Sequence, residues 1–220
     1  MLRVDLHIHT HRSSDSLMQM ESIIGCALAR GVSGLAITDH NIVYCNAETQ
    51  KLQSASSVRI IPGEEIRTLE GEIIGLFLQE QIPRRLSAEE TISRIREQGG
   101  LVYIPHPFDR LRRSRLRRET LLRVASRVDI VEVFNSRVTF ARDNALAAEF
   151  AAHYGLARGA GSDAHLPCEI GMATVEIPEF ASPSEFMNAL ASGRVVARLS
   201  NPLVHLVTTL TKLRRKYATR

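Results

Sequence analysis

The chain has no tryptophan, and Phe and Tyr alone leave aromatics at 5% of 220 residues, so its core must rest on Leu, Ile, Val and Ala. No apolar run approaches the ~20 residues that a membrane-spanning helix needs. The opening residues MLRVDLHIHT lack the apolar stretch of a signal peptide. Three cysteines, Cys26, Cys45 and Cys168, are an odd number with no C-x-x-C spacing. That excludes a disulfide framework and disfavours a structural cysteine–zinc site. The thiols read as buried or incidental in a reducing compartment, and the expected location is cytoplasmic, with no membrane association. Repeats, linkers and low-complexity tracts are also missing.

What is present is a globular composition, 44% hydrophobic and 24% charged, which argues against disorder. The length suits one domain, with or without a small appendage. The formal charge of +4 is unevenly spread. Arg110, Arg112, Arg113, Arg115, Arg117 and Arg118 place six positive charges in nine residues, and Lys212, Arg214, Arg215, Lys216 and Arg220 add five at the end. With those eleven set aside, the formal +4 becomes −7. An acidic body with two basic segments fits a carboxylate-rich site that holds cations, with arginines at hand for an anionic substrate.

Short apolar runs recur at 3–8, 34–38, 58–62, 73–78, 101–104, 129–134 and 156–160, separated mostly by segments with helical spacing. Residues 20–30 run to a stop at Gly31, and 139–154 to one before Gly155. Ser87 with Glu90, and Ser182 with Glu185, have the spacing of capping boxes. Alternating strands and helices indicate a mostly parallel α/β sheet, with 64–78 open to reading as a hairpin. The last ~20 residues read as a helix with a basic tail.

Ligand-type residues follow strand after strand: His7, His9 and Asp15; Asp39 and His40; Glu64 and Glu65; His106; Glu132 and Asn135; Asp163 and His165. Parallel barrels gather such strand ends at one mouth. His7 and His9 are two apart and share a face of a strand. Histidines with carboxylates suit Zn²⁺, Mn²⁺ or Fe²⁺, and the inventory exceeds what one ion can use. His153 and His205 read as surface or core residues, and His11 lies off the His7/His9 register. Glu64 points away from Glu65 in an extended segment and reads as solvent-facing or as support for a ligand. Glu132 reads equally as a strand charge or as a partner of a ligand.

Taken in order, Asp5-Leu6-His7-Ile8-His9-Thr10, Thr38-Asp39-His40-Asn41, Gly63-Glu64-Glu65, Pro105-His106-Pro107 and Gly161-Ser162-Asp163-Ala164-His165 resemble the PHP (polymerase and histidinol phosphatase) superfamily over residues 3–198. The resemblance implies a distorted (β/α)7 TIM-like barrel over 1–200, a metal-dependent phosphoesterase domain, followed by a helical basic extension at 201–220. It also implies a trinuclear site. His7, His9, Glu65 and Asp163 would hold one ion, Glu65 with His106 a second, and Asp15, His40 and His165 a third. Where relatives often carry a further His, this chain has Glu72, which is expected to stand in as ligand. The cofactors expected are two or three divalent ions: Mn, Zn or Fe, or Mg.

The expected reaction is hydrolysis of phosphate esters of nucleotides or small phosphorylated metabolites, with metal ions activating a water to hydroxide. His40, His165 and Asp163 are expected to act in that chemistry. Arg137, Asn135 and Arg110 are the expected substrate contacts. The alternatives are an exonuclease or oligoribonuclease acting on RNA or DNA ends, and a non-catalytic metal-stabilised module. The arginine run at 110–118 reads either as a solvated helix face or as a rim above the metals.

Overall fold

β1 (Leu2–Ile8), β2 (Gly34–Ile37) and β3 (Arg59–Arg67) lie side by side in parallel register. β3 then turns through residues 68–71 into β4 (Glu72–Leu76), which pairs with it antiparallel from Gly63↔Leu76 to Arg67↔Glu72. The segment at 64–78 is therefore a hairpin. β4 pairs antiparallel with β5 (Leu101–Ile104), and β5, β6 (Ile130–Asn135) and β7 (Ala157–Gly161) continue in parallel. These pairings make β1, β2, β3, β5, β6 and β7 point one way, with β4 reversed. On the far side of β1, β8 (Ala173–Ile177) and β9 (Arg194–Ala197) add an antiparallel pair that the sequence patterns did not reveal. The computed structural model describes residues 1–44 and 51–218, so Cys45 and Arg220 lie outside the described residues.

The strand order is β7-β6-β5-β4-β3-β2-β1-β8-β9, and the sheet curls until β7 meets β1. Ile8 bridges to Ala164, and the Asp5 carboxylate accepts a hydrogen bond from the Ser162 amide at 2.8 Å. Gly161 permits this closure: a Cβ there would lie 2.3 Å from His7 Cβ and 2.7 Å from Glu132 Oε1. The result is a nearly closed α/β barrel of seven strands with a two-stranded flap.

Helices cover the sheet from outside. α1 (Met20–Ala29) buries Met20, Ile23 and Ala27 against Ile8, Leu35, Ile37 and Ile60. α2 (Ala88–Glu97), α3 (Arg118–Val124) and α4 (Ala141–Tyr154) cover Val102, Ile104, Val131 and Val133. α5 (Pro183–Ala191) packs Phe186 and Leu190 near Val4 and Leu6. Each large apolar side chain so buried contributes about 1.5–3 kcal/mol. The Ser87 and Ser182 hydroxyls accept from the amides of Glu90 and Glu185, as the spacing predicts. α4 ends at Gly155 in the left-handed conformation (φ 64°), which costs glycine nothing. A last helix, α6 (Val204–Ala218), follows β9. No helix among the described residues is long and apolar enough to cross a membrane. Cys26 is half-buried and Cys168 exposed, so neither is a core thiol.

Candidate metal centre

Strand direction explains which side chains meet. The six like-directed strands end at one rim, and β4, being reversed, starts there; this brings Glu72 beside the strand-end residues. The Nε2 atoms of His7 and His9 are 3.1 Å apart. Glu65 Oε2 lies 3.6 Å from His7 Nε2, 3.5 Å from His9 Nε2 and 2.9 Å from His40 Nδ1, while Oε1 lies 3.1 Å from His106 Nε2. Asp163 Oδ1 is 3.2 Å from His9 Nε2 and 3.6 Å from His7 Nε2. Asp15 sits between His40 Nε2, at 3.4 Å, and His165 Nε2, at 3.3 Å. Glu72 Oε2 is 4.0 Å from His106 Nε2.

Four groups have donor atoms mutually within 4.8 Å: His9, His40 and His165; His7, Glu65 and His106; His7, His9 and Asp163; His40, Glu65 and Glu72. They overlap, so more than one ion could be held with shared ligands. Glu65 Oε2, Asp163 Oδ1, Asp15 Oδ1 and Glu72 Oε2 are buried without a hydrogen bond. Buried carboxylate oxygens are rarely left so, and these converge with histidine nitrogens. This donor set fits divalent cations.

The ligand-type residues are backed from behind. Glu132 lies 3.0 Å from His7 Nδ1 and accepts from the Tyr103 hydroxyl, the His106 amide and the Asn135 side chain. It therefore orients His7 to present Nε2, the partner role among its two readings. Asp39 accepts from the amides and hydroxyls of Thr10 and Ser13, clamping the loop after His9. His106 (φ 32°) and Asp163 (φ 54°) adopt left-handed backbone conformations, which cost on the order of 1–3 kcal/mol each and concentrate at functional sites.

The electrostatics follow from crowding. Burial opposes it, but Asp163, Glu132 and Glu65 hold the His7 imidazole well above its ordinary value; Glu65 and Asp15 do the same for His40. Burial and the charges of His165 and His40 push His9 down to about 4, and burial lowers His165. Against burial, His40, His7 and His106 hold Glu65 well below the carboxylate range, and Arg112 and His7 do so for Asp163. Glu72 goes the other way, raised by burial and by the neighbouring Glu65. The raised His7 and His40 and the lowered Glu65 and Asp163 mark a cluster whose carboxylates call for balancing positive charge.

A cavity of about 470 Å³ opens beside the cluster, lined in part by Asp15, His40, Glu72, His165, Arg112 and Arg137. Arg137 reaches it while donating to Thr208 Oγ1 at 2.6 Å. Asn135 does not line it: its side chain donates to Glu132 and Asp163 from a fully buried position. Arg110 also points elsewhere, paired with Asp143 at 2.6 Å and stacked over Phe140. Arg112, two residues on, enters instead, with Nη2 2.6 Å from Asp163 Oδ2. The arginine run is accordingly not a solvated helix face; part of it is a rim. Glu64 is buried rather than solvent-facing, accepting from the Ile82 amide, and burial raises it to about 7. His11 and His153 stay outside all four groups, whereas His205 lines the cavity with Nε2 3.0 Å from the Arg137 carbonyl.

Fold and site together define a histidine- and carboxylate-lined barrel mouth suited to divalent cations. Residues 141–195 match the family described as PHP-associated. The chain is 41% identical over 199 residues to the uncharacterized protein MJ0417 of Methanocaldococcus jannaschii, covering 86% of this chain and 79% of that one. It is similar in fold (TM-score 0.71, 18% identity) to a two-domain protein of Bacteroides vulgatus containing a predicted PHP-like metal-dependent phosphoesterase. That match spans 90% of this chain but only 65% of the two-domain one. An amidohydrolase of Chromobacterium violaceum is similar as well (TM-score 0.64, 18% identity), over 88% of this chain and 97% of the other. The chain belongs to the PHP superfamily.

Proposed function

We propose that this protein is a metal-dependent phosphoesterase that hydrolyses phosphate esters of nucleotides or small phosphorylated metabolites. The observation that carries the reading is the overlap of four ligand groups, with unpaired carboxylate oxygens, beside a cavity also lined by arginines. His7, His9, Asp15, His40, Glu65, Glu72, His106, Asp163 and His165 would hold two or three ions, with Glu65 shared between them. Mixed imidazole and carboxylate donors suit Mn²⁺, Zn²⁺ or Fe²⁺. Such ions, when bound, neutralise phosphoryl oxygens and make a water more acidic.

The chain's own residues do the rest. Glu132 fixes which nitrogen His7 offers. Arg112 occupies Asp163 Oδ2, leaving Oδ1 turned to the cluster. Arg112 and Arg137 present guanidinium groups to a phosphoryl group in the cavity, where planar donors match its oxygens. His40 and His165 are drawn into the ligand groups, so their role is to hold ions rather than to donate a proton to the leaving group. A cavity of about 470 Å³ lies in the size range of small-molecule sites, and this supports a nucleotide or metabolite over a gripped nucleic-acid strand.

The test is hydrolysis of a panel, with Mn²⁺ added and after chelation. The panel holds an aryl phosphate, an aryl phosphodiester, nucleoside monophosphates and a short RNA. We expect metal-dependent release from a small substrate, lost at least a hundredfold in His9→Ala. Preference for the RNA would move the assignment to a nuclease; release that persists in the chelated or mutant protein would refute the reading.

A further inference from the structure

The C-terminal helix is built into the reaction cavity. α6 is held on one side of the mouth by Arg137, whose Nη2 donates to Thr208 Oγ1 at 2.6 Å, and by His205, whose Nε2 lies 3.0 Å from the Arg137 carbonyl. Nearer its end, Arg215 Nη1 donates to the carbonyls of His11 and Ser13 at 2.8 and 2.7 Å. Pinned to the loops after β6 and β1, the helix lies along that part of the rim. His205, Thr208, Thr209 and Lys212 line the cavity, and their spacing of three and four residues puts them on one helical face. Leu206, Val207, Leu210 and Leu213 are exposed instead.

Lys212 Nζ lies 3.7 Å from Asp15 Oδ2, although 64% of the lysine side chain remains exposed. Asp15 also faces His40 and His165. Lys212, Arg112 and Arg137 line the same cavity, so its ammonium and their guanidinium groups are placed to meet an anion there together. We infer that Lys212 is an anion-binding residue of this site: α6 supplies an ammonium that receives the substrate's phosphate together with Arg112 and Arg137. This rests on the phosphoesterase reading and adds to it a recognition residue from outside the barrel. A lysine on a long flexible stem serves as a movable point charge here, whereas the arginines are fixed forks.

The probe is inorganic phosphate, titrated calorimetrically into Mn²⁺-loaded wild type, Lys212→Gln and Lys212→Arg, with the bound metal counted in each. The Lys212 side chain is 64% exposed and makes no tight contact, so both variants keep the fold, which circular dichroism checks. We expect Lys212→Gln to weaken phosphate binding about tenfold, Lys212→Arg to stay within about threefold of wild type, and metal content to be equal in all three. Wild-type binding that Lys212→Gln leaves unchanged would overturn the inference and leave the phosphoesterase reading standing. Metal loss in Lys212→Gln would also overturn it, since the lysine would then serve only to balance Asp15. Failure of the loaded wild type to bind phosphate at all would remove both.

Discussion

At the scale of single residues, the site depends on groups that hold the ligands as much as on the ligands. Glu132 touches His7, Tyr103, the His106 amide and Asn135 from a fully buried position. Glu132→Gln keeps the shape but places an amide where four donors need an acceptor. Metal affinity should fall ten- to a hundredfold, read by titration with Mn²⁺; an unchanged affinity would show that His7 needs no such support. Most of the side chains that cluster at the rim were legible because histidines two apart on a strand share a face and because each motif follows an apolar run. Arg112 and Lys212 were not. One sits in an arginine run where nothing in the spacing distinguishes it from Arg110, and the other reaches the cavity only because α6 folds back. Asn135 was placed correctly near the cluster, yet its amide serves Glu132 and Asp163 rather than the cavity.

At the scale of elements, the reversed β4 matters most. Had the seven strands all run parallel, the start of β4 would lie at the opposite rim, and Glu72 could not approach His106. The sequence left 64–78 open to a hairpin, the reading that reverses β4, and the β3–β4 pairing selects it. β8 and β9 were unread because Thr174 and Glu176 break the apolar run in the first, and the second opens on Arg194 and is half-exposed. Helix ends were more legible because caps are local. Ser87→Ala, which removes the acceptor for the Glu90 amide, should cost about 1 kcal/mol of stability in denaturant unfolding and leave metal binding untouched. A change in metal binding would mean that α2 positions the site more directly than its packing indicates.

At the scale of the whole molecule, protonation, metal binding and folding are linked. Without ions, His7 and His40 have raised pKa values, against 6.5 ordinarily. Their contribution to stability is therefore complete below that ordinary value and is lost as pH rises through the raised ones. Ions that take the place of those protons bind more tightly as the protons leave. The rise in melting temperature on adding Mn²⁺ should accordingly be larger at about pH 8 than at about pH 6; a rise independent of pH would contradict the charge balance drawn for the cluster. The acidic remainder and the two basic segments were visible in the composition. Their meeting at one cavity, through Arg112 and Lys212, required the fold.

A shared, multi-ion centre at the barrel mouth can be tested by counting metal per chain. After equilibration with Mn²⁺ and removal of free ion, the wild type should retain two or three ions per chain. Glu65→Gln should lose at least one, because Glu65 approaches His7, His9, His40 and His106 together. Retention of one ion or none by the wild type, or equal content in the variant, would rule out a centre shared through Glu65.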